Sequence, residues 1–194
     1  MAGRPKTFDS EEILDKAVPV FWAKGYEAAS TEELLEAMGI GKGSFYLAFK
    51  GGKKELFEKA LIRYRKQQMA TFEQEMLAHA DPLDGIRSLF RSIATTSKSI
   101  HLNGCLFGNS IAELSNSDPL LMKKASNWLL QLEKIFYKAI LAAQKKGSLS
   151  KKQDPELLAR QLITIWNGLG ITRRLYPDNK ILSKLIESQL NILK

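Results

Sequence analysis

Residues Thr31–Phe49 read TEELLEAMGIGKGSFYLAF, and their spacing decides the fold. A helix-turn-helix needs two short helices, a glycine-bearing turn and a buried residue on each helix to fix the crossing. Leu34, Leu35 and Met38 recur at helical spacing and form the apolar face of the first helix. Ile40 plugs the turn Gly39-Ile40-Gly41, and Phe45 and Phe49 supply the inner face of the second helix. Lys42, Ser44, Leu47 and Ala48 then fall near the outer face, where a DNA major groove would lie. Gly43 lets the start of that helix come close to a phosphate, and its free amides suit an anion.

Working outward, Ser30 or Thr31 caps the first of these helices, and Lys50-Gly51-Gly52 breaks the second. Upstream, Asp9 or Ser10 caps a helix whose apolar face is Ile13, Leu14, Ala17, Val20 and Phe21. Gly25 ends that helix. Pro19 lies inside it, where a proline removes a hydrogen bond at a cost of about 3 kcal/mol, and predicts a kink. Downstream, a long helix runs from about Lys53 to Ala78. Asp81-Pro82, Asp118-Pro119 and Asp154-Pro155 each pair a cap with proline at the first helical position. Gly104–Leu114 reads as a further helix, and Tyr176-Pro177-Asp178 precedes the last. The expected fold is all-α with about nine helices. A helix-turn-helix domain of three helices covers residues 1–54 and a larger helical domain covers 55–194, the fourth helix joining the two.

The net charge of +8 is less informative than its placement. Acids and bases balance within residues 1–54, but Ile40–Lys54 carries Lys42, Lys50, Lys53 and Lys54 and no acid. Other function classes fare poorly. His79 and His101 are isolated, Cys105 is the single cysteine, and no HExxH, GxSxG or phosphate-binding glycine loop occurs. No enzyme, cofactor or metal site is expected. No apolar run spans a bilayer and Met1–Lys6 lacks the apolar core of a signal peptide, so the expected compartment is the cytoplasm. A protein-interaction bundle is the alternative class. It explains many helices but not the spacing of Thr31–Phe49.

That spacing, with Phe21, Lys24-Gly25-Tyr26, Ser30-Thr31, Met38-Gly39-Ile40-Gly41, Gly43-Ser44-Phe45-Tyr46, Phe49, Lys53 and Leu56-Phe57, resembles the DNA-binding domain of the TetR family of transcriptional regulators. The resemblance covers about residues 8–60. It implies a repressor that binds a palindromic operator as a homodimer, with Thr31, Tyr46 and Lys53 touching phosphates and the third helix reading bases. The loop after Phe49 is one residue longer than is usual in the family, so Lys53 and Lys54 both qualify for the phosphate role. The candidate DNA-binding residues are Arg4, Thr31, Lys42, Gly43, Ser44, Tyr46, Leu47, Lys50 and Lys53, with Lys42 and Ser44 favoured for base reading. The basic arm at Arg4-Pro5-Lys6 is placed to reach a minor groove. Ala48 departs from the larger residue many members carry there.

Gly104–Glu113 resembles a segment of the ligand-sensing domain in one branch of that family. Cys105, Asn109 and Glu113 are spaced four apart, which stacks them on one helical face. With Phe72, Met76, Phe90, Trp128 and Trp166 they form the candidate effector site, and the apolar walls favour a hydrophobic or aromatic small molecule. Plain core is the competing reading for each of these side chains. Cys105 reads either as a reactive thiol, activated by His101 one turn earlier or by helix amides, or as a small buried hydrophobe. Leu158, Leu162, Ile165, Trp166 and Leu169, with Ile181, Leu182, Leu185, Ile186 and Leu190, mark the last two helices as the expected dimer face. The fourth helix is the expected lever between effector and DNA.

Overall fold

The computed structural model describes residues 9–194, and every element among them is helical. In order these are α1 (Ser10–Ala28), α2 (Thr31–Met38), α3 (Lys42–Ala48), α4 (Gly52–Leu77), α5 (Pro82–Ile93), α6 (Lys98–Asn103), α7 (Leu106–Leu114), α8 (Pro119–Lys146), α9 (Pro155–Leu175) and α10 (Asn179–Gln189). A 3₁₀ turn, Leu190–Leu193, follows. The all-α expectation stands. The added element is α6, ended by Gly104 at φ 65°, so the helix expected over Gly104–Leu114 begins only at Leu106. Arg4 lies outside the described residues.

The chain divides into two compact units. One runs through Gln67 and takes in Asn109–Ala125; the other comprises Gln68–Gly108 and Ser126–Lys194. The division falls inside α4, α7 and α8.

In the first unit α1 begins at Asp9, whose carboxylate accepts from the Glu11 amide at 2.8 Å. Its buried face is Ile13, Ala17, Val18 and Phe21. The backbone stays helical through Pro19, and the break comes at Gly25, with φ 83° and ψ −179°. Pro19 is exposed, so the carbonyl it leaves unpaired can turn to water. Gly25 instead adopts a conformation that L side chains rarely enter. Phe21 and Tyr26 pack on Phe57 of α4 with ring centroids 4.8 and 5.0 Å apart. Arg63 pins α4 to α1 through Asp15, at 2.6 and 2.7 Å, and Glu11, at 2.7 Å.

In the second unit α5 buries Ile86, Leu89, Phe90 and Ile93, and α8 buries Trp128, Leu132, Phe136 and Ile140. Leu158, Leu162 and Leu169 of α9, Leu182 and Ile186 of α10 and Leu190 of the tail are buried as well. These six were expected to await a partner chain, and they are consumed within their own unit. A second face of α9, only partly apolar, stays open. Leu157, Gln161, Thr164, Gly168, Ile171 and Leu175 form a second stripe at alternating spacings of four and three, exposed along its whole length.

Candidate nucleic-acid interface

The candidate interface is built from α2, its turn and α3. Ser30 and Glu33 form a reciprocal capping box that starts α2: the Glu33 amide donates to Ser30 Oγ at 3.2 Å and the Ser30 amide to Glu33 Oε2 at 3.2 Å. Gly39 closes α2 in the left-handed region, φ 69°, while the Ile40 amide reaches back to the Leu35 carbonyl at 3.2 Å. Leu34 and Phe45 are fully buried, and Phe45 and Phe49 meet at 5.5 Å. A fully buried phenylalanine contributes about 1.5–3 kcal/mol relative to exposure, so this packing sets the orientation of α3.

The opposite face of α3 is left open. Lys42 and Gly43 are exposed, Tyr46 is 48% and Leu47 71% exposed, and Lys50 follows in the turn. Ser44, Ala48 and Thr31 are half-buried. The Tyr46 ring stands edge-on against Phe45 at 5.0 Å, which fixes the direction of its phenol. A Cβ at Gly43 would meet nothing within 4 Å, so any demand for a bare backbone there comes from outside the chain.

Lys53 and Lys54, in the first turn of α4, are both engaged by the protein itself. Lys53 Nζ donates to the carbonyls of Glu27 and Ala29 at 3.1 and 3.2 Å and lies 4.7 Å from the Tyr26 ring centroid. It closes the end of α1. Lys54 pairs with Asp118, which also caps α8 by accepting from the Leu121 amide at 3.0 Å. Hydrogen bonding to the Lys54 ammonium holds the Asp118 carboxyl below its ordinary 3.8, and the same bond holds Lys54 above its ordinary 10.5. The signs set the window: the pair is intact between these values, lost in acid as Asp118 protonates and lost in strong base as Lys54 deprotonates. Lys54→Met should return the Asp118 titration toward 3.8, which carboxyl-detected NMR reads directly; an unmoved titration would show that the α8 cap alone lowers it.

Glu113 was expected among the effector residues. Its carboxylate instead accepts from the backbone amides of Tyr26 and Glu27, each at 2.9 Å. These are the amides exposed where Gly25 breaks α1. A Cβ on Gly25 would stand 2.7 Å from Glu113 Oε2, so this glycine serves both the backbone turn and the approach of the carboxylate. The sequence shows Gly25 as a helix end but gives no sign of which acid satisfies the two amides, because that acid lies 87 residues away.

The other expected effector residues fall into two groups. Phe72, Phe90, Trp128 and Trp166 come together in the second unit: Trp128 meets Trp166 at 5.5 Å, Phe72 lies 5.9 and 5.8 Å from the two indoles, and Phe90 meets Trp166 at 5.9 Å. Met76 packs on α5, where a Cβ at Gly85 would stand 3.1 Å from its Cα. Asn109 and Glu113 stand four apart on α7, while Cys105 lies just before that helix, after the turn at Gly104. Cys105 Sγ accepts from the Gly108 amide at 3.4 Å. Asn109 sits half-buried within α7. His101 is not available to the thiol: it is fully buried with Nδ1 3.2 Å from Thr96 Oγ1 and Nε2 3.0 Å from Asn179 Oδ1. Among the described residues no group of His, Cys, Asp and Glu is arranged to hold a metal, and no helix is long and apolar enough to cross a membrane.

Two family models match the chain. Residues 13–60 match bacterial regulatory proteins, tetR family, and residues 82–188 match the tetracyclin repressor-like C-terminal domain. The HTH-type transcriptional repressor ComR of Escherichia coli is 30% identical over 95% of this chain and 87% of its own length. The HTH-type transcriptional regulator YezE of Bacillus subtilis is 29% identical over 98% of this chain and 99% of its own. A solved structure of a cysteine mutant of the TetR family transcriptional regulator CifR, complexed with 26-base-pair double-strand operator DNA, superimposes with a TM-score of 0.86 at 28% identity, covering 97% of this chain and 98% of that one.

Proposed function

Because this chain belongs to the TetR family of transcriptional regulators, a non-enzymatic class, we propose that it is a sequence-specific DNA-binding repressor released from a palindromic operator by a small molecule. The observation that carries this reading is the open face of α3 over a fully packed inner face. The phenylalanines Phe45 and Phe49 hold the helix, while Lys42, Tyr46, Leu47 and Lys50 are exposed to solvent. Helix-turn-helix proteins present the start of the second helix to base edges and its flanks to phosphates. Lys42 and Ser44 lie at that start and are assigned to bases. Thr31, Tyr46 and Lys50 are assigned to phosphates. Lys53 is assigned to positioning, since its ammonium already binds two carbonyls.

Operator duplexes selected by the protein from a random pool test the assignment by fluorescence anisotropy. Tyr46→Phe should weaken binding several-fold on every selected sequence, because a phosphate contact carries no sequence information. Lys50→Ala should also lower the slope of log K against log salt by about 0.9, the release of one counterion. Lys42→Ala should reorder the preferred sequences. No enrichment from the pool, or enrichment unaffected by all three variants, would overturn the reading.

The repressor acts as a homodimer through α9 and α10, using the outer stripe of α9 rather than the faces buried within the chain. Its effector binds the aromatic cluster of the second unit. It favours release only insofar as it binds the DNA-incompetent arrangement more tightly than the competent one.

A further inference from the structure

The indole N–H groups of Trp128 and Trp166 are both buried and meet no hydrogen-bond acceptor among the described residues. Trp128 is 2% exposed. A buried indole N–H normally finds a partner, because leaving such a donor unmet forfeits its hydration without return. Here two donors on different helices, α8 and α9, fail together with their rings 5.5 Å apart. The rings packed on them are hydrocarbon: Phe72 beside both, Phe107 stacked on Trp128 at 4.7 Å and 8°, and Phe90 edge-on to Trp166. The cluster therefore offers two donors and, among these side chains, no acceptor and no charge.

We propose that Trp128 and Trp166 seat a neutral aromatic carbonyl compound, both indole N–H groups donating to its one carbonyl oxygen. This rests on the reading that the second unit binds an effector and specifies its chemistry. A carbonyl oxygen has two lone pairs and needs no donor in return, which matches two unmet N–H groups on neighbouring rings. An anion or cation would be stripped of water among phenyl rings, at a cost that no side chain of the cluster offsets. An alcohol or amine would bring a donor of its own with nothing there to receive it. The aromatic body follows from the walls, where offset and edge-on ring contacts are available. Trp166 is the half-buried member and marks the side of entry.

The test uses three probes of matched size on the whole 194-residue chain: acetophenone, α-methylstyrene, in which a methylene replaces the oxygen, and 1-phenylethanol, which adds a donor. Acetophenone should bind about tenfold more tightly than either, the net worth of one or two hydrogen bonds. It should move the indole N–H resonances of Trp128 and Trp166 and leave that of Trp22 in place. Substituting Trp166→Phe, or replacing either indole by its benzothiophene isostere, should reduce the preference over α-methylstyrene toward unity without unfolding the chain. Failure of acetophenone to bind, equal affinity for acetophenone and α-methylstyrene, or a preference that survives loss of both N–H groups would overturn the proposal. Operator release is read separately: binding without release would overturn the effector reading and leave the seat standing, whereas no binding would remove the seat and leave the operator reading untouched.

Discussion

The double variant Gly168→Glu, Ile171→Glu should be a folded monomer at micromolar concentration and should lose operator affinity by about a hundredfold or more, because two linked half-sites bind at a high effective concentration that single ones lack. Both positions lie on the exposed stripe of α9, and Ile171 is 65% exposed, so neither substitution removes a contact made within the chain. A Cβ at Gly168 would meet nothing within 4 Å, and replacing a mid-helix glycine raises helix propensity by up to about 1 kcal/mol. The fold therefore has no reason to suffer. What the substitutions change is the surface offered to a second copy. Leu157, Ile171 and Leu175 line the stripe, Gly168 leaves a shallow place where another helix can approach, and exposed Tyr176 and Ile181 extend it toward α10. Two such stripes related by a two-fold meet themselves, so each glutamate would face a like charge across the axis. Sedimentation velocity reads the assembly and anisotropy the DNA. A variant that sediments as a dimer with wild-type operator affinity would place the interface elsewhere.

What the sequence disclosed and what it withheld divide along a physical line. The helix-turn-helix is specified by near neighbours: a capping box three residues wide, a left-handed glycine, two phenylalanines one turn apart. The cap, the turn glycines and the phenylalanines are read from spacing, while the reciprocal bond from Glu33 is seen only in the structure. The aromatic cluster was legible by composition, since large rings in a helical chain have few places to go. Pairings across long separations were not legible. Glu113 was assigned to a ligand because Cys105, Asn109 and Glu113 share a period of four; the spacing holds within α7 for the last two, but the Glu113 carboxylate is taken up by the amides at the end of α1. Lys53 and Lys54 read as a free basic run until Glu27, Ala29 and Asp118 were seen to hold them. The buried face of α9 was taken for an outer one because periodicity alone does not tell which face a chain buries in itself.

Glu113→Ala should weaken operator binding by about tenfold, although Glu113 stands on α7 and not in the helix-turn-helix. Two backbone amides would lose a carboxylate, and charge-assisted bonds of this kind contribute about 1.5–3 kcal/mol each when well shielded, less at a partly exposed site such as this. The segment released is Gly25–Ala29, whose last carbonyls receive Lys53 and which leads directly into the Ser30 cap of α2. Loosening it frees the entry to the reading element without touching α3. A double-substitution cycle with Gly25→Ala separates this from general damage. In the wild-type background the added methyl meets Glu113 Oε2 at 2.7 Å and also suffers the left-handed φ of 83°. In the Glu113→Ala background only the backbone strain remains, about 1–2 kcal/mol. The cost of Gly25→Ala in urea denaturation should therefore be smaller in the second background, a coupling that independent sites do not show. Amide exchange supplies the local reading: Tyr26 and Glu27 should lose protection on Glu113→Ala while α9 keeps its own. Additive costs together with unchanged operator affinity would reduce Glu113 to an incidental surface acid. Coupled costs would show that Glu113, in the last turn of α7, holds the chain leading into α2.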